Sequence, residues 1–120
     1  MKRLITLLLL LGLSLQAQDA VDLIRKGDAH DARFEADQAL IYYLPAEKLQ
    51  PQDADLLIKI TRQYLFRMSG LKSVDAKTLS AKTALEYAER AVKAAPKNAE
   101  AHLAIALSWG RLSQLQGARE

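Results

Sequence analysis

The chain has two histidines, His30 and His102, and histidine is the side chain best suited to proton transfer near neutral pH. Asp28 and Asp31 flank His30, and a carboxylate beside an imidazole is an arrangement that general acid–base catalysis uses. A hydrolase that depends on His30 is therefore one functional hypothesis. An ordinary surface histidine near a turn is the alternative, and we favour that interpretation.

The sequence contains no other pattern typical of a catalytic or cofactor site. A metal site needs three or four converging ligands, and no local cluster of that kind occurs. The five glycines are scattered singly, so they form no phosphate-binding loop. No serine occupies a nucleophile-elbow pattern. We expect a protein that is not an enzyme and that binds no metal or cofactor.

Composition predicts a single helical domain. The 120 residues suffice for one domain, and half of them are apolar. Alanine and leucine dominate, which favours helices. Because cysteine is absent, disulfides and the usual lipoprotein anchor are excluded. The net charge of +3 includes Lys2 and Arg3 at the N-terminus, so the rest of the chain is close to neutral, and we expect no nucleic-acid partner.

Residues 1–17 follow the three-part plan of a secretory signal peptide. Lys2 and Arg3 form a basic start, residues 4–15 are almost wholly apolar, and a small polar stretch suited to cleavage after Ala17 follows. The apolar run of about a dozen residues is shorter than the roughly 20 that span a bilayer. We predict export to the periplasm or secretion from a bacterium. An uncleaved membrane anchor is the alternative, in which only the leader contacts the membrane.

Apolar residues recur at spacings of three and four through the rest of the chain, which predicts five helices. The predicted helices cover residues 19–32, 33–49, 54–68, 79–95 and 99–116. Residues 71–78, with mixed polar side chains, are expected to form a loop with at most one extra helical turn. Val21, Ala32, Phe34 and Trp109 are expected on the buried sides of their helices.

Capping and helix-breaking residues mark the ends of these helices. Asp19, Asp53 and Asn98 are suited to accept the free backbone N–H groups of a first turn. Gly70 is expected to end the third helix in the left-handed conformation. The prolines at positions 51 and 96 are expected to form turns, and Pro45 is expected to kink its helix near residues 41–45.

Two segments share one spacing, which is the first sign of a repeat protein. In both, a proline follows an alanine at the twelfth position, and the aligned pairs are Ala39 with Ala84, Ala46 with Ala91, and Pro51 with Pro96. These residues resemble the tetratricopeptide repeat, in which a small residue, an aromatic, an alanine and a proline follow one another at fixed spacing. Ala39, Tyr43, Ala46 and Pro51 match all four positions, whereas Ala88 replaces the aromatic in the later copy.

The first helices carry further residues of the motif. Gly27 falls where the motif has a small residue, and Tyr64 and Trp109 fall at its aromatic position. The two turn prolines, 51 and 96, lie 45 residues apart instead of the usual 34, so about eleven residues are inserted near residues 70–78. Residues 101–120 look like the subset related to regulator-of-microtubule-dynamics proteins.

The resemblance implies an all-α fold, a tetratricopeptide-like α-solenoid of antiparallel helix pairs. About five helices, or two and a half repeats, would form residues 18–120 after the signal peptide of residues 1–17. The third repeat has a first helix and no second one. Either the chain is a fragment, which we favour, or the fifth helix is itself the cap of the stack.

The resemblance also implies that the first helices line a concave face where a protein or peptide partner binds. Counting along the repeat gives the candidate partner-binding residues Asp55, Ile58, Arg62, Phe66, Glu100, Leu103, Leu107 and Arg111. Apolar patches with two arginines suit an extended peptide or an amphipathic helix. We therefore expect a non-catalytic interaction scaffold of the bacterial cell envelope. The alternative is an N-terminal fragment or accessory part of a larger envelope enzyme or transport machine.

Overall fold

The computed structural model describes residues 2–119, apart from the side chain of Arg119, and this part of the chain is helical without strands. A 3₁₀ turn, Arg67–Gly70, joins the third helix to the fourth. The five α-helices are α1 (Lys2–Asp31), α2 (Ala36–Leu49), α3 (Ala54–Phe66), α4 (Val74–Ala94) and α5 (Ala99–Arg119). The prediction of an all-α fold with five helices is confirmed.

Each helix packs against the next one along the chain, and α3 also packs against α5. Helix α3 is therefore the centre of the domain, since it contacts α2, α4 and α5. Its buried side chains Leu56, Leu57 and Ile60 are large. The helices around α3 present mainly alanines to the core, and these small residues allow the close approach that large side chains opposite them then fill.

Polar side chains cap two helices as predicted. The Asp53 carboxylate accepts a hydrogen bond of 3.1 Å from the backbone N–H of Leu56 at the start of α3. The Asn98 side-chain oxygen accepts hydrogen bonds from the N–H groups of Glu100, at 2.9 Å, and Ala101, at 3.3 Å. Each cap satisfies donors that have no partner within their own helix.

Helix α1 is longer than predicted, because it begins at Lys2 and not at residue 19. Asp19 therefore lies inside the helix and does not cap it. The first buried residue is Ala20, whereas Val21 and Ala32 are exposed, contrary to the prediction. Length and composition would allow α1 to cross a membrane, with a mean hydropathy of 1.7 over 18 residues, but a signal sequence meets the same criteria. Signal-peptide cleavage stays a prediction.

The connection between α3 and α4 is shorter than predicted. Helix α4 begins at Val74, where the Ser73 hydroxyl accepts a 3.0 Å hydrogen bond from the N–H of Ala76, so most of the predicted loop is helical. Gly70 does not adopt a positive φ. The 3₁₀ turn ends α3 instead, and the N–H of Leu71 donates to the carbonyl of Met68.

Phe34 was predicted on the buried side of the second helix, and this prediction is wrong. Helix α2 begins at Ala36, and Phe34 lies in the preceding turn with a φ of 59° and 77% of its surface exposed. Further along, α2 continues through Pro45 to Leu49. Pro45 has no N–H to donate to the carbonyl of Ile41, and both residues lie on the exposed side of α2.

Trp109 was also predicted to be buried, yet 55% of its surface is exposed. The buried face of α5 consists instead of Ala101, Ala104 and Ser108. The helix packs against α3 and α4 through these small residues, which permit the closest approach. Trp109 is on a side of α5 that its two neighbours cover only in part.

Candidate functional site

Helices α3 and α5 lie beside each other, and an open groove of about 460 Å³ runs between them. Seven of the eight predicted partner-binding residues line it, namely Ile58, Arg62, Phe66, Glu100, Leu103, Leu107 and Arg111. Asp55 is exposed in the first turn of α3 and is not part of the lining. The structure thus brings together the residues that counting along the repeat selects, while their role in binding stays a prediction.

The groove is apolar over most of its length. Leu103 and Leu107 are 56% and 53% exposed, and they project from successive turns of α5. Across from them lie Ile58 and Leu65 of α3. Apolar side chains that remain this accessible along one line are unusual for a surface that faces only water. The arrangement is suited to receive apolar side chains from another molecule.

The two arginines of the groove differ in their surroundings. The Arg62 guanidinium donates to the carboxylate of Asp31 on α1, and the same carboxylate accepts a 2.9 Å hydrogen bond from the Gln63 side chain. Arg111 contacts the side-chain oxygen of Gln114 at 3.4 Å, which is a long hydrogen bond to a neutral group. An aspartate therefore compensates the charge of Arg62, whereas no carboxylate of the described residues pairs with Arg111.

Asp28 joins three helices through its side chain. Its carboxylate accepts a 2.6 Å hydrogen bond from the Tyr43 hydroxyl on α2 and forms a 2.8 Å ion pair with the Lys59 ammonium on α3. Burial raises the pKa of the Tyr43 hydroxyl, and the hydrogen bond to Asp28 raises it further. Together with the Asp31–Arg62 pair, these contacts hold α1 against α3 and so position one wall of the groove.

The pairing of His30 with Asp28 or Asp31, which the hydrolase hypothesis requires and which we did not favour, does not form, because both carboxylates are bound to residues of α2 and α3. The His30 ring instead lies 3.3 Å from a carboxylate oxygen of Glu35 and stacks on Tyr42, with ring centroids 5.5 Å apart. Within residues 2–119, no three histidine, aspartate or glutamate side chains come together where a metal ion could be held.

Sequence reasoning missed three residues that also line the groove, Thr61, Leu65 and Ala104. Thr61 and Leu65 each precede a predicted residue by one position, so they lie at the edge of the same helix face. Ala104 follows Leu103 and forms part of the floor, where α5 comes close to α3. Counting every third or fourth residue gives the centre of such a face and omits its edges.

The fold and the groove define an all-α domain of consecutively packed helices with an accessible surface between two of them. Residues 21–120 match the family model described as Regulator of microtubule dynamics protein 1-3, and the chain belongs to this family. The expected relation of residues 101–120 to such proteins is thereby confirmed. A search of curated proteins found no significant match.

Proposed function

We propose that this protein is a non-catalytic interaction scaffold of the bacterial cell envelope, and that the groove between α3 and α5 holds a peptide or helix of another protein. The observation that carries the proposal is the exposed apolar lining, in particular Leu103 and Leu107. Transferring such side chains from water to a partner surface is favourable by about 25 cal/mol per Å² of apolar area.

Helix contacts support a tetratricopeptide-like stack as the architecture behind this groove. The side chains of Asp28 and Asp31 link α1 to α3, and α3 packs against α5, so the first helices of the three proposed repeats are neighbours. Pro51 and Pro96 lie in the turns that lead into α3 and α5, as the repeat motif requires. A groove lined by first helices is the surface that solenoid proteins use for partners.

The N-terminal half of α1 supports export. Its leucines at residues 4–15 are exposed, and Ala20 is the first residue that the domain buries. Cleavage after Ala17 would therefore remove apolar surface without disturbing the packed part of the chain. Mass spectrometry of protein from the periplasm of an expressing bacterium should give an N-terminus at Gln18. Recovery of the intact chain in the membrane fraction would instead support the anchor.

Site-specific photocrosslinking tests the interaction directly. A photoreactive phenylalanine analogue in place of Leu107 should form crosslinked adducts with another protein in the cell envelope. The same analogue in place of Leu79, an exposed leucine of α4 that is not part of the groove, is the matched control and should form none. Equal crosslinking from both positions, or none from Leu107, would contradict the proposal.

A further inference from the structure

The groove has opposite charges at its two ends. Glu100 lines the end of the groove where α5 begins. Arg111 lines the other end, eleven residues further along α5, or about 17 Å at 1.5 Å per residue. A molecule that fills the groove therefore meets the Glu100 carboxylate at one end and the Arg111 guanidinium at the other.

A second hollow of about 370 Å³ continues the groove at its basic end. It shares Leu65, Phe66 and Arg111 with the groove and adds Lys77 of α4. Beside it, the exposed ring of Phe34 packs edge-on against Phe66, with centroids 5.8 Å apart, and extends the apolar surface. The basic end is thus a place where two cations border an accessible apolar surface.

These two cations have no acidic partner in the described part of the chain. Lys59, Arg62, Arg67 and Arg90, by contrast, each form an ion pair with an aspartate or glutamate. Neither Lys77 nor Arg111 forms an ion pair with any residue that the structure describes. A carboxylate placed between them would gain charge-assisted hydrogen bonds beside an apolar wall, where solvent screens charge less than in open water.

We infer that the groove takes an amphipathic helix of a partner protein, with acidic side chains in the last turn that meet Lys77 and Arg111. This inference rests on the proposed function and adds the charge and direction of the partner. Leu103 and Leu107 are one helical turn apart, which matches apolar side chains at positions i and i+4 of a docked helix.

The charges also fix the direction of the docked helix. The C-terminal end of a helix carries a partial negative charge, and its N-terminal end carries a partial positive one. The favourable orientation places the partner's last turn at Arg111 and its first turn at Glu100. The docked helix therefore runs in the same direction as α5.

Labelled synthetic helices test this inference. The probe is a fluorescein-labelled, alanine-based peptide with leucines at i, i+4 and i+7 and two glutamates in the last turn. One matched peptide has lysines in place of the glutamates, and a second has the glutamates in its first turn. The protein is purified from an expressing bacterium, in the form that this bacterium produces. Fluorescence anisotropy then measures the binding of each peptide to it. The probe should bind about tenfold more tightly than either matched peptide, a difference of about 1.4 kcal/mol.

Charge reversal on the protein should reverse this preference. The double variant Lys77→Glu/Arg111→Glu should bind the lysine peptide more tightly than the glutamate probe, whereas Lys97→Glu, in the turn before α5, should keep the original order. Arg111 and Lys97 are exposed, Lys77 is partly buried, and none of the three forms an ion pair with another described residue, so the variants are expected to fold.

Three results would overturn the inference. Equal binding of all three peptides would contradict the inferred charge of the partner helix and its inferred direction, although the groove could still bind a helix. No binding of the probe at concentrations on the order of 1 mM would reject the acidic helix as ligand. Thirdly, Trp109 is not part of the groove lining, and a change in its emission on binding of the unlabelled peptide would place the peptide on the wrong face of α5. The crosslinking experiment depends on no chosen peptide, so it decides the proposed function separately.

Discussion

Gly27 of α1 lies directly against the ring of Tyr43 of α2. A Cβ atom added at Gly27 would come within 2.3 Å of Cε1 of that ring, which is far closer than carbon atoms approach in proteins. The ring is fully buried, and its hydroxyl is tied to Asp28 by a 2.6 Å hydrogen bond. Tyr43 therefore has no free space to move into, and the two helices depend on glycine at this position.

Replacing Gly27 by alanine should lower the free energy of unfolding by about 1–3 kcal/mol, the usual cost of overpacking a core. This loss should appear although alanine is favoured over glycine in a helix by about 1 kcal/mol. Gly110→Ala on α5 is the control, because nothing lies within 4 Å of the added Cβ, and it should stabilise the protein slightly. Urea unfolding followed by circular dichroism measures both. Equal stabilisation by the two variants would contradict the close contact.

The Asp31 carboxylate should contribute more to stability than an exposed carboxylate that also pairs with arginine. Its side chain is 15% exposed and binds Arg62 and Gln63, so Asp31→Asn should cost about 1–3 kcal/mol. Asp37 lies 3.0 Å from Arg67 but is 68% exposed, so Asp37→Asn should cost at most about 1 kcal/mol. Thermal unfolding of both variants tests the difference, and equal destabilisation would mean that the α1–α3 bridge adds little.

The sequence predicts best those features that depend on near neighbours along the chain. Asp53 and Asn98 cap N–H groups that lie two or three residues further along the chain, and the prolines at 51 and 96 restrict the adjacent backbone. The Ser73 cap is equally local, but the mixed polar residues after it led us to predict a loop where α4 begins. Trp109 was mistaken for a core residue, because periodicity indicates which side of a helix is apolar and not how many helices cover it.

The candidate groove could be predicted because the repeat resemblance supplies a register for α3 and α5. The partners of Asp28 and Asp31 could not, since Lys59 and Arg62 lie 31 residues away in the sequence. Only the packing of α1 beside α3 decides that these carboxylates point away from His30. The same packing pairs the charge of Arg62 with Asp31, and this pair distinguishes Arg62 from Arg111. The spacing of residues along the sequence does not predict it.

Phe34 should carry a conformational strain that glycine relieves. Its φ of 59° lies in the left-handed region, which costs a residue with a Cβ atom roughly 1–2 kcal/mol. Phe34→Ala removes the contact with Phe66 and keeps the strain, whereas Phe34→Gly removes both. The glycine variant should therefore be about 1 kcal/mol more stable than the alanine variant in urea unfolding. Equal stability, or a more stable alanine variant, would contradict a left-handed Phe34.

The Tyr43 hydroxyl should make the domain sensitive to alkaline pH. Burial and the hydrogen bond to Asp28 raise its pKa in the folded state above the ordinary value of 10.0. Below pH 10 the hydroxyl is protonated in both states, so its contribution is fully present. Above that pH the unfolded chain releases the proton and the folded chain retains it, so stability falls by up to about 1.4 kcal/mol per pH unit.

Tyr43→Phe removes this titration and should flatten the decline between about pH 10 and 11. At neutral pH the variant should be less stable by about 1 kcal/mol, because it lacks the hydrogen bond to Asp28. The two stability curves should therefore approach each other as the pH rises. Tyr64 and Tyr87, whose pKa values burial also raises, should leave part of the decline in place. Urea unfolding at a series of alkaline pH values measures both curves, and parallel curves would show that Tyr43 titrates alike in the folded and unfolded chains.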